Sequence, residues 1–482
     1  MLMALAGRLR GEPGVREAAV LMGTPANQAI LAAAGLAAPE TADARPGDLI
    51  IAVQAESEAA AEAALHAAGA MLEERSRAAS VLRRPRTLEA ALGDRPDANL
   101  AMISVPGDYA ALEARTALRR GLHVFLFSDN VPLHEEVELK RLAAAQRLLC
   151  MGPDCGTAYL GGVGLGFANV VPRGRVGCVA ASGTGLLAVV TRLAALGEGV
   201  SHGIGVGGRD LTAEVGGTMT RLALGALARD ARTEAIVVIS KPPSAGVLPA
   251  LEATIGSAGK PIVVCCLGAS ARPGAPGTWV STLDDAADAV VALLHKRPWA
   301  PRAFSDPGSV QARVAALRPV RGTVLGLYTG GTLAHEARLI LEPLLGDGPR
   351  ILDLGADEFT VGRPHPMLDP DARAVRVREA ARDGDVGVLL LDLVLGRGAH
   401  PDPAAALAGA VRDARQTAQR GGRSLLAVAS VVGTEADPQR LSGQVDQLRA
   451  AGVEILPSNA EAARFAALAV RPDLASSLLR AR

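Results

Sequence analysis

Short apolar runs alternate along this chain with longer segments that are rich in Ala, Leu, Glu and Arg and that repeat with a helical period. A strand followed by a helix, repeated many times, is typical of mostly parallel sheets covered by helices. The pattern therefore predicts an α/β protein built from several mostly parallel βαβ units. The predicted strands are residues 18–22, 48–53, 100–105, 123–127, 147–151, 176–180, 235–240, 261–266, 324–328, 350–354, 386–393 and 425–431.

Breaks in this pattern divide the chain into parts. With 482 residues, the chain has room for about three domains of roughly 150 residues. A basic linker at residues 83–86, a second basic segment at residues 173–175 and a proline-rich connector at residues 295–309 mark the boundaries. The resulting division is an N-terminal α/β unit and three further domains, at residues 1–82, 86–172, 173–300 and 318–482.

Composition and charge exclude several classes of protein. Basic and acidic residues both number 50, and aromatic residues are only 2% of the chain, so a surface for nucleic acid is not expected. No apolar run is long enough to cross a membrane, and the N-terminus lacks the pattern of a signal peptide. The five cysteines form no CxxC pair and no zinc-like spacing with histidine. We therefore expect a cytoplasmic protein with reduced cysteines, no metal site and no membrane contact.

Two turns follow the same plan, in which an apolar strand leads through small residues and hydroxyls into a helix. Free backbone amides at a helix start carry partial positive charge, and glycine lets an anion approach them. A capped helix without a ligand explains one such turn equally well, but two turns in successive domains favour a shared anion site. The turn residues are Ser182, Gly183, Thr184 and Gly185 in the first turn, and Thr329, Gly330, Gly331 and Thr332 in the second.

A further glycine-rich loop, at residues 203–210, could wrap a ligand. There Gly207 and Gly208 would supply backbone amides, Arg209 would pair with an anion and Asp210 would contact the substrate. The alternative is structural: Asp210 caps the next helix and Arg209 pairs with Glu214.

Other polar residues also follow predicted strands, at the sheet edge where ligands bind in this fold class. Lys241 ends one such strand and is one of only four lysines in the chain. Arg363 and His365 lie together in a later loop, and His400 follows another strand. A lone histidine in a proline-rich loop is usually structural, so His365 and His400 could each be either structural residues or residues of the site.

These motifs, taken in order, resemble the FdrA family. More distantly, residues 100–294 resemble the α subunit of succinyl-CoA synthetase, and the chain from Val324 onward resembles the C-terminal domain of its β subunit. The resemblance implies a truncated, Rossmann-like CoA-binding domain followed by two flavodoxin-like domains. In those synthetases a phosphohistidine lies between two helix starts, which correspond here to the two turns described above. The stretches that carry the FdrA resemblance are residues 20–27, 151–157, 181–185, 207–211, 328–332, 357–370 and 458–460.

Departures from the synthetases change the chemistry that the resemblance implies. The loop at residues 266–277, where they carry the phosphorylated histidine, contains none, and Ser240, Lys241, Pro242 and Pro243 replace their acidic loop. The glycine-rich first turn of the CoA domain and an ATP-grasp domain also lack counterparts. We therefore expect no imidazole at the anion site and no cofactor, with CoA bound only under the ligase alternative.

The FdrA resemblance implies a subunit of a carbamoyltransferase in ureide (allantoin and oxalurate) catabolism. Such an enzyme exchanges a carbamoyl group between a small amide such as oxamate and phosphate, and acts with companion subunits in a hetero-oligomer. The two turns would bind phosphate or carbamoyl phosphate, while Lys241, Arg209 and His365 would be catalytic and Asp210, Arg363 and His400 would bind substrate. Two alternatives stay open: an NDP-forming acyl-CoA synthetase and a non-catalytic scaffold that senses an anion. The carbamoyl acceptor cannot be identified from the sequence.

Overall fold

The computed structural model describes residues 2–79, 85–270, 273–317, 320–360 and 364–479. Its backbone forms two units. One comprises Met1–Pro96 with Ala356–His365, and the other comprises Asp97–Gly355 with Pro366–Arg482. The division into four parts proposed from the sequence is finer than this and stays a prediction.

The smaller unit pairs its two strands in antiparallel fashion, from Val15 opposite Ala55 to Met22 opposite Leu49. Both predicted strands are present. They form an antiparallel pair, so the connection between them is not the crossover that parallel strands require. Two small apolar clusters, one around Leu9 and Val20 and the other around Leu31, lie on this unit. Its elements are α1 (Leu2–Arg10), β1 (Val15–Met22), α2 (Pro25–Ala33), α3 (Pro39–Ala42), β2 (Leu49–Ala55), α4 (Glu58–Ala79) and α5 (Leu88–Asp94), and the short helix Asp357–Thr360 also belongs to it.

The larger unit begins with a three-stranded parallel sheet in the order β3-β4-β5. Strand β5 is shorter than predicted, because Arg147 adopts a positive φ of 57° and ends a turn there. The elements are β3 (Leu100–Ile103), α6 (Gly107–Arg119), β4 (His123–Leu126), α7 (Leu133–Ala145) and β5 (Cys150–Met151).

A seven-stranded sheet follows in the order β12-β11-β10-β8-β9-β6-β7. Its five parallel strands have the flavodoxin order 2-1-3-4-5, in which the order of strand addition reverses between β8 and β10. The antiparallel hairpin β6–β7 extends the β9 edge, and the sequence analysis missed it because both strands are short and rich in small residues. The elements are β6 (Thr157–Leu160), β7 (Val163–Gly166), β8 (Arg173–Ala180), α8 (Gly183–Ala195), β9 (Val200–Gly205), α9 (Thr218–Arg229), β10 (Ala235–Ser240), α10 (Leu248–Gly256), β11 (Ile262–Cys266), β12 (Thr278–Val280) and α11 (Leu283–Leu294).

The last sheet has five parallel strands in the order β14-β13-β15-β16-β17. This is again the flavodoxin order, with its reversal point between β13 and β15. The fold class predicted from the sequence is thus confirmed. The elements are α12 (Pro307–Ala316), β13 (Thr323–Tyr328), α13 (Gly331–Leu345), β14 (Arg350–Asp353), α14 (Asp357–Thr360, in the smaller unit), α15 (Asp371–Ala380), β15 (Val386–Val394), α16 (Pro403–Arg420), β16 (Leu426–Val432), α17 (Leu441–Ala450), β17 (Val453–Leu456), α18 (Asn459–Val470) and α19 (Ala475–Leu478).

One apolar cluster joins the two flavodoxin-like sheets. Buried residues of α8 and α11, such as Val190 and Ala287, belong to the same cluster as Ala337 of α13 and Phe465 of α18. Asp437 adds polar contacts across this interface, since it accepts hydrogen bonds from the Asn169 side chain at 2.7 Å and from the Val170 amide at 2.6 Å. The two sheets therefore share one hydrophobic core, which places helices of one domain against helices of the other.

Candidate anion-binding site

The start of α8 is a capped turn directly after β8. Ser182 has extended backbone angles, and its Oγ accepts a hydrogen bond from the Gly185 amide at 2.9 Å. A side chain at Gly185 would place its Cβ 2.7 Å from that oxygen, so glycine is needed at this position. The capping read from the sequence is therefore present, and the amides of Gly183 and Thr184 find no acceptor in the described chain.

The buried carboxylate of Asp392 fixes the backbone directly before the start of α13. Asp392, at the end of β15, accepts hydrogen bonds from the Thr329 amide, the Thr329 hydroxyl and the Gly330 amide, each at 2.9 Å. Asp392 is fully buried and pairs with the buried Arg373 at 3.0 Å. The N-cap residue is Gly330, which has no side chain, so the helix begins without a side-chain cap.

Three amides at the start of α13 are consequently left open. The amides of Gly331, Thr332 and Leu333 meet no acceptor among the residues that the structure describes, whereas the next amide, of Ala334, bonds to the Gly330 carbonyl. Unpaired amides at the N-terminus of a helix form a ready site for an anion.

The two helix starts are in contact. The hydroxyls of Ser182 and Thr332 lie 2.5 Å apart, and a Cβ added at Gly330 would lie 3.0–3.1 Å from atoms of the Thr184 side chain. Both turns follow strand 1 of the flavodoxin order 2-1-3-4-5, at the point where the strand order reverses. Amides and hydroxyls from two helices thus converge on one place.

Lys241, at the end of β10, brings an exposed positive charge to this place. Its ammonium makes no ion pair within the described chain, but its charge acts on His335 of α13 and on Asp353 at the end of β14. Burial and the charge of Asp392 raise the pKa of Asp353, while the Gly355 amide and Lys241 oppose that rise.

His335 is the residue at this site that the sequence analysis missed. Its imidazole lies at the Leu267 carbonyl, within the loop at residues 266–277 that contains no histidine of its own. Helix α13 of the neighbouring domain thus brings an imidazole within the influence of Lys241, whereas the loop at residues 266–277 itself contains no histidine. The position of His335 three residues after Thr332 was a usable signal, because residues with that spacing share a helix face.

The loop with Gly207 and Gly208 is shaped by tight backbone contacts. Gly207 has a φ of 83°, and a Cβ there would lie 2.6 Å from the Pro153 carbonyl oxygen. Gly208 lies near Ala181, where a Cβ would be 3.9 Å from the carbonyl oxygen. These glycines let the loop pass close beside the first helix start.

Arg209 and Asp210 belong to a buried ionic network. Lys140 donates to the Val206 carbonyl at 2.8 Å and pairs with Asp210 at 2.9 Å and Glu136 at 2.8 Å. Burial acts to lower the pKa of Lys140, but the two carboxylates outweigh it and hold that pKa above its ordinary value.

The same network uses the remaining polar groups of this loop. Arg209 pairs with Glu136 at 2.7 Å, in place of the Glu214 considered from the sequence, and donates to the Val131 carbonyl. Asp210 accepts from the amides of Met219 and Thr220 near the start of α9, as the structural reading of this residue anticipated.

The remaining candidates are His400, His365 and Arg363. The His400 ring accepts a hydrogen bond from the Asp402 amide at 3.1 Å, within its own turn. His365 belongs to the smaller unit, and Arg363 lies outside the described residues. In the described part of the chain no group of three His, Cys, Asp or Glu side chains is placed to hold a metal ion. All five cysteines are buried, and burial raises the pKa of Cys155 to about 12.

Comparison with known proteins places the chain in a family. Residues 327–469 match the CoA-ligase family, and residues 1–86 match the family described as AllF, heavy metal-associated domain. The latter stretch contains no cysteine, the first in the chain being Cys150. Uncharacterized protein YahF of Escherichia coli K12 is 37% identical over 95% of this chain and 93% of its own length. The chain belongs to the YahF family.

This YahF-family chain also has an acyl-CoA synthetase-like sequence. It is 29% identical to the succinate–CoA ligase [ADP-forming] subunit alpha 2 of Archaeoglobus fulgidus over 37% of the chain and 62% of that subunit. An ADP-forming sulfoacetate-CoA ligase subunit of Bilophila wadsworthia is 29% identical over 30% of the chain and 50% of that subunit. The matched segment thus spans about half to three fifths of these subunits.

Solved structures of related enzymes resemble the YahF-family chain only loosely. The acetyl-coenzyme A synthetase of Ca. Korarchaeum cryptofilum covers 79% of this chain and 84% of its own at 15% identity, with a TM-score of 0.29. The similarity to the ATP citrate lyase of Methanothrix soehngenii covers 48% of this chain and 42% of that chain at 17% sequence identity, with a TM-score of 0.36. Scores this low carry no argument about function. Among the described helices, none is both long and apolar enough to span a bilayer.

Proposed function

We propose that this chain binds phosphate or an acyl phosphate between the starts of α8 and α13, as a subunit of a carbamoyltransferase. The observation that carries the proposal is the contact between the two helix starts, with Ser182 Oγ 2.5 Å from Thr332 Oγ1. Each helix start contributes roughly half a positive charge. A phosphate oxygen would take the place of the hydroxyl–hydroxyl contact and accept from both side chains.

The surrounding charges suit a dianion. Lys241 carries an exposed ammonium whose charge acts on His335 and Asp353, and a compact ammonium acts as a point charge on phosphoryl oxygens. Asp392 is already neutralised by Arg373, so it does not repel an incoming anion with a full charge. Fixed amides and a fixed cation stabilise charge that develops on a transferring group without reorganising.

The acyl-CoA synthetase-like sequence supports an acyl phosphate as the bound group. The resemblance to FdrA proteins supports the finer reading, in which this group is carbamoyl phosphate and the acceptor is a small amide such as oxamate. The same resemblance suggests companion subunits. The proposal needs neither a nucleotide nor CoA.

A Thr332→Val variant tests this function, because valine keeps the shape of threonine and removes its hydroxyl. We expect its KM for carbamoyl phosphate to rise about tenfold, the equivalent of roughly 1.4 kcal/mol. The assay measures carbamoyl transfer by the full chain with its companion subunits. Thr254→Val on α10, whose hydroxyl donates to the Ala250 carbonyl of the same helix, is the matched control. An unchanged KM in Thr332→Val, or the absence of any carbamoyl transfer by the wild-type complex, would contradict the proposal.

A second candidate is an ADP-forming acyl-CoA ligase, favoured by the identity to succinate–CoA ligase α subunits. It predicts micromolar affinity for CoA in titration calorimetry and thioester formation that depends on ATP. Carbamoyl transfer without either compound would decide against it.

A further inference from the structure

We propose that His335 exchanges a proton with the substrate bound at the two helix starts, and that Lys241 and Asp353 flank it there. The inference rests on the proposed function and names a residue that acts in it.

Helix geometry places His335 above the anion site. His335 follows Gly331 by four residues and Thr332 by three, so all three share one face of α13. Side chains on a helix tilt toward its N-terminus, which directs the imidazole toward the open amides. On this face Gly331 lies against Asp353, since a Cβ added at Gly331 would be 2.4 Å from Asp353 Oδ2.

The imidazole has an unused nitrogen. His335 Nε2 is buried and has no hydrogen-bond partner among the described residues. A buried polar atom without a partner costs about 1–3 kcal/mol, and the N–H of the acceptor amide would recover that cost by donating to this nitrogen. Helix α13 also packs against the loop after β11, where a Cβ at Gly268 would lie 3.5 Å from Leu339.

The charges around the ring favour its neutral form at pH 7. Burial lowers the pKa of His335, and the positive charge of Lys241 lowers it further, as does Arg338 on the same helix. The Leu267 carbonyl and Glu342 act in the opposite direction without reversing the shift. A neutral imidazole next to a bound acyl phosphate is suited to accept a proton.

The proton transfer can be written with its bonds. The amide nitrogen of the acceptor attacks the carbamoyl carbon, and the new N–C bond forms as the C–O bond to phosphate breaks. The electron pair of the broken bond leaves with phosphate. The proton lost by the amide nitrogen passes to His335 Nε2 and then to the departing phosphate, which leaves as hydrogen phosphate. The reverse reaction uses the same path, and no further reactant is needed.

Histidine NMR on the full chain tests this placement without an activity assay. Imidazole ¹⁵N signals would be followed over pH with and without inorganic phosphate, and the His335 signal would be assigned by its loss in His335→Gln. We expect bound phosphate to raise the pKa of His335 by about one unit or more, because a nearby opposite charge favours the protonated ring. His123 is the control, because burial also lowers its pKa while its ring accepts from the Leu149 amide.

The outcomes separate the two proposals. If phosphate does not bind to the wild-type chain in calorimetry, the proposed function fails. If phosphate binds and the pKa of His335 stays within experimental error, the role of His335 fails and the anion site stands. In the transfer assay with companion subunits, we expect kcat of His335→Gln to fall at least about 100-fold and to lose its dependence on pH near the His335 pKa. Its phosphate affinity should change less than threefold, and a parallel loss of affinity would overturn the assignment.

Discussion

Two charged clusters of the larger unit lie directly after parallel strands, and they differ in whether their polar groups are already paired. Around Asp210 the charged groups are paired inside the protein: the Lys140 ammonium donates to the Val206 carbonyl and pairs with Asp210 and Glu136. At the starts of α8 and α13, open amides lie beside Lys241, which has no ion-pair partner within the described chain. Glycine-rich loops in one sheet can therefore serve structure or ligand binding, and the contacts of the charged groups distinguish the two.

The first prediction concerns the closed cluster. Asp210→Ala leaves the Lys140 ammonium buried with one carboxylate fewer, and it also removes the acceptor for the Thr220 amide and hydroxyl. We expect the free energy of unfolding to fall by about 3–5 kcal/mol, measured by chemical denaturation. The exposed Glu214 gives the control, since Glu214→Ala should change stability by about 0.5 kcal/mol or less. Equal losses in both variants would mean that the cluster is not structural.

The second prediction compares the two faces of α13. Next to His335, Glu336 is fully buried and accepts from the Leu283 amide and the Asn459 side chain. Burial raises the pKa of Glu336 to about 7, with repulsion from Asp284 adding to it. The folded state then holds this proton more tightly than the unfolded state, so wild-type stability should fall as pH rises from about 4.5 to 7.

Glu336→Gln removes this pH dependence. The melting temperature of the variant minus that of the wild type should become more positive between pH 4.5 and pH 8, with a free-energy change on the order of 3 kcal/mol at about 1.4 kcal/mol per pKa unit. Glu342→Gln, at an exposed position of the same helix, should show no such trend. A difference that stays flat for Glu336→Gln would show that this face of α13 is not closed as described.

The third prediction concerns the open cluster. Lys241→Met should weaken phosphate binding about tenfold or more, because a charge-assisted hydrogen bond contributes about 1.5–3 kcal/mol, and should leave the melting temperature nearly unchanged. Calorimetry with inorganic phosphate measures the affinity. Lys260→Met is the matched control, since Lys260 donates to the carbonyls of Leu227 and Asp230. That variant should lose stability and keep its phosphate affinity, and the reverse pattern would exchange the roles of the two lysines.

Much of the fold was predictable because buried parallel strands are continuous apolar runs, and strand β10 was predicted with its observed bounds. The antiparallel direction of β1 and β2 was not predictable, because strand patterns do not encode which end the connection returns to. The two helix starts were found from their glycines and hydroxyls. Their direct contact depends on the packing between two domains, which no local pattern contains.

The same limit explains the site residues. Arg209 carried the pattern of an anion ligand, but its partner Glu136 lies 73 positions earlier in the chain, beyond the reach of spacing rules. His335 was overlooked for the opposite reason, because it stands in an ordinary helix and gains its setting from Lys241 and Leu267 of the other domain. A local motif can thus be recognised from the sequence, but the sequence does not show whether a charged side chain in it is paired or exposed.

A crystal structure of the full chain grown with inorganic phosphate examines the anion site itself. We predict one phosphate within hydrogen-bonding distance of the Gly331 and Thr332 amides and the Ser182 hydroxyl, with the contact between Ser182 and Thr332 replaced by bonds to its oxygens. Phosphate bound elsewhere, with the two hydroxyls still paired at saturating concentration, would contradict the account.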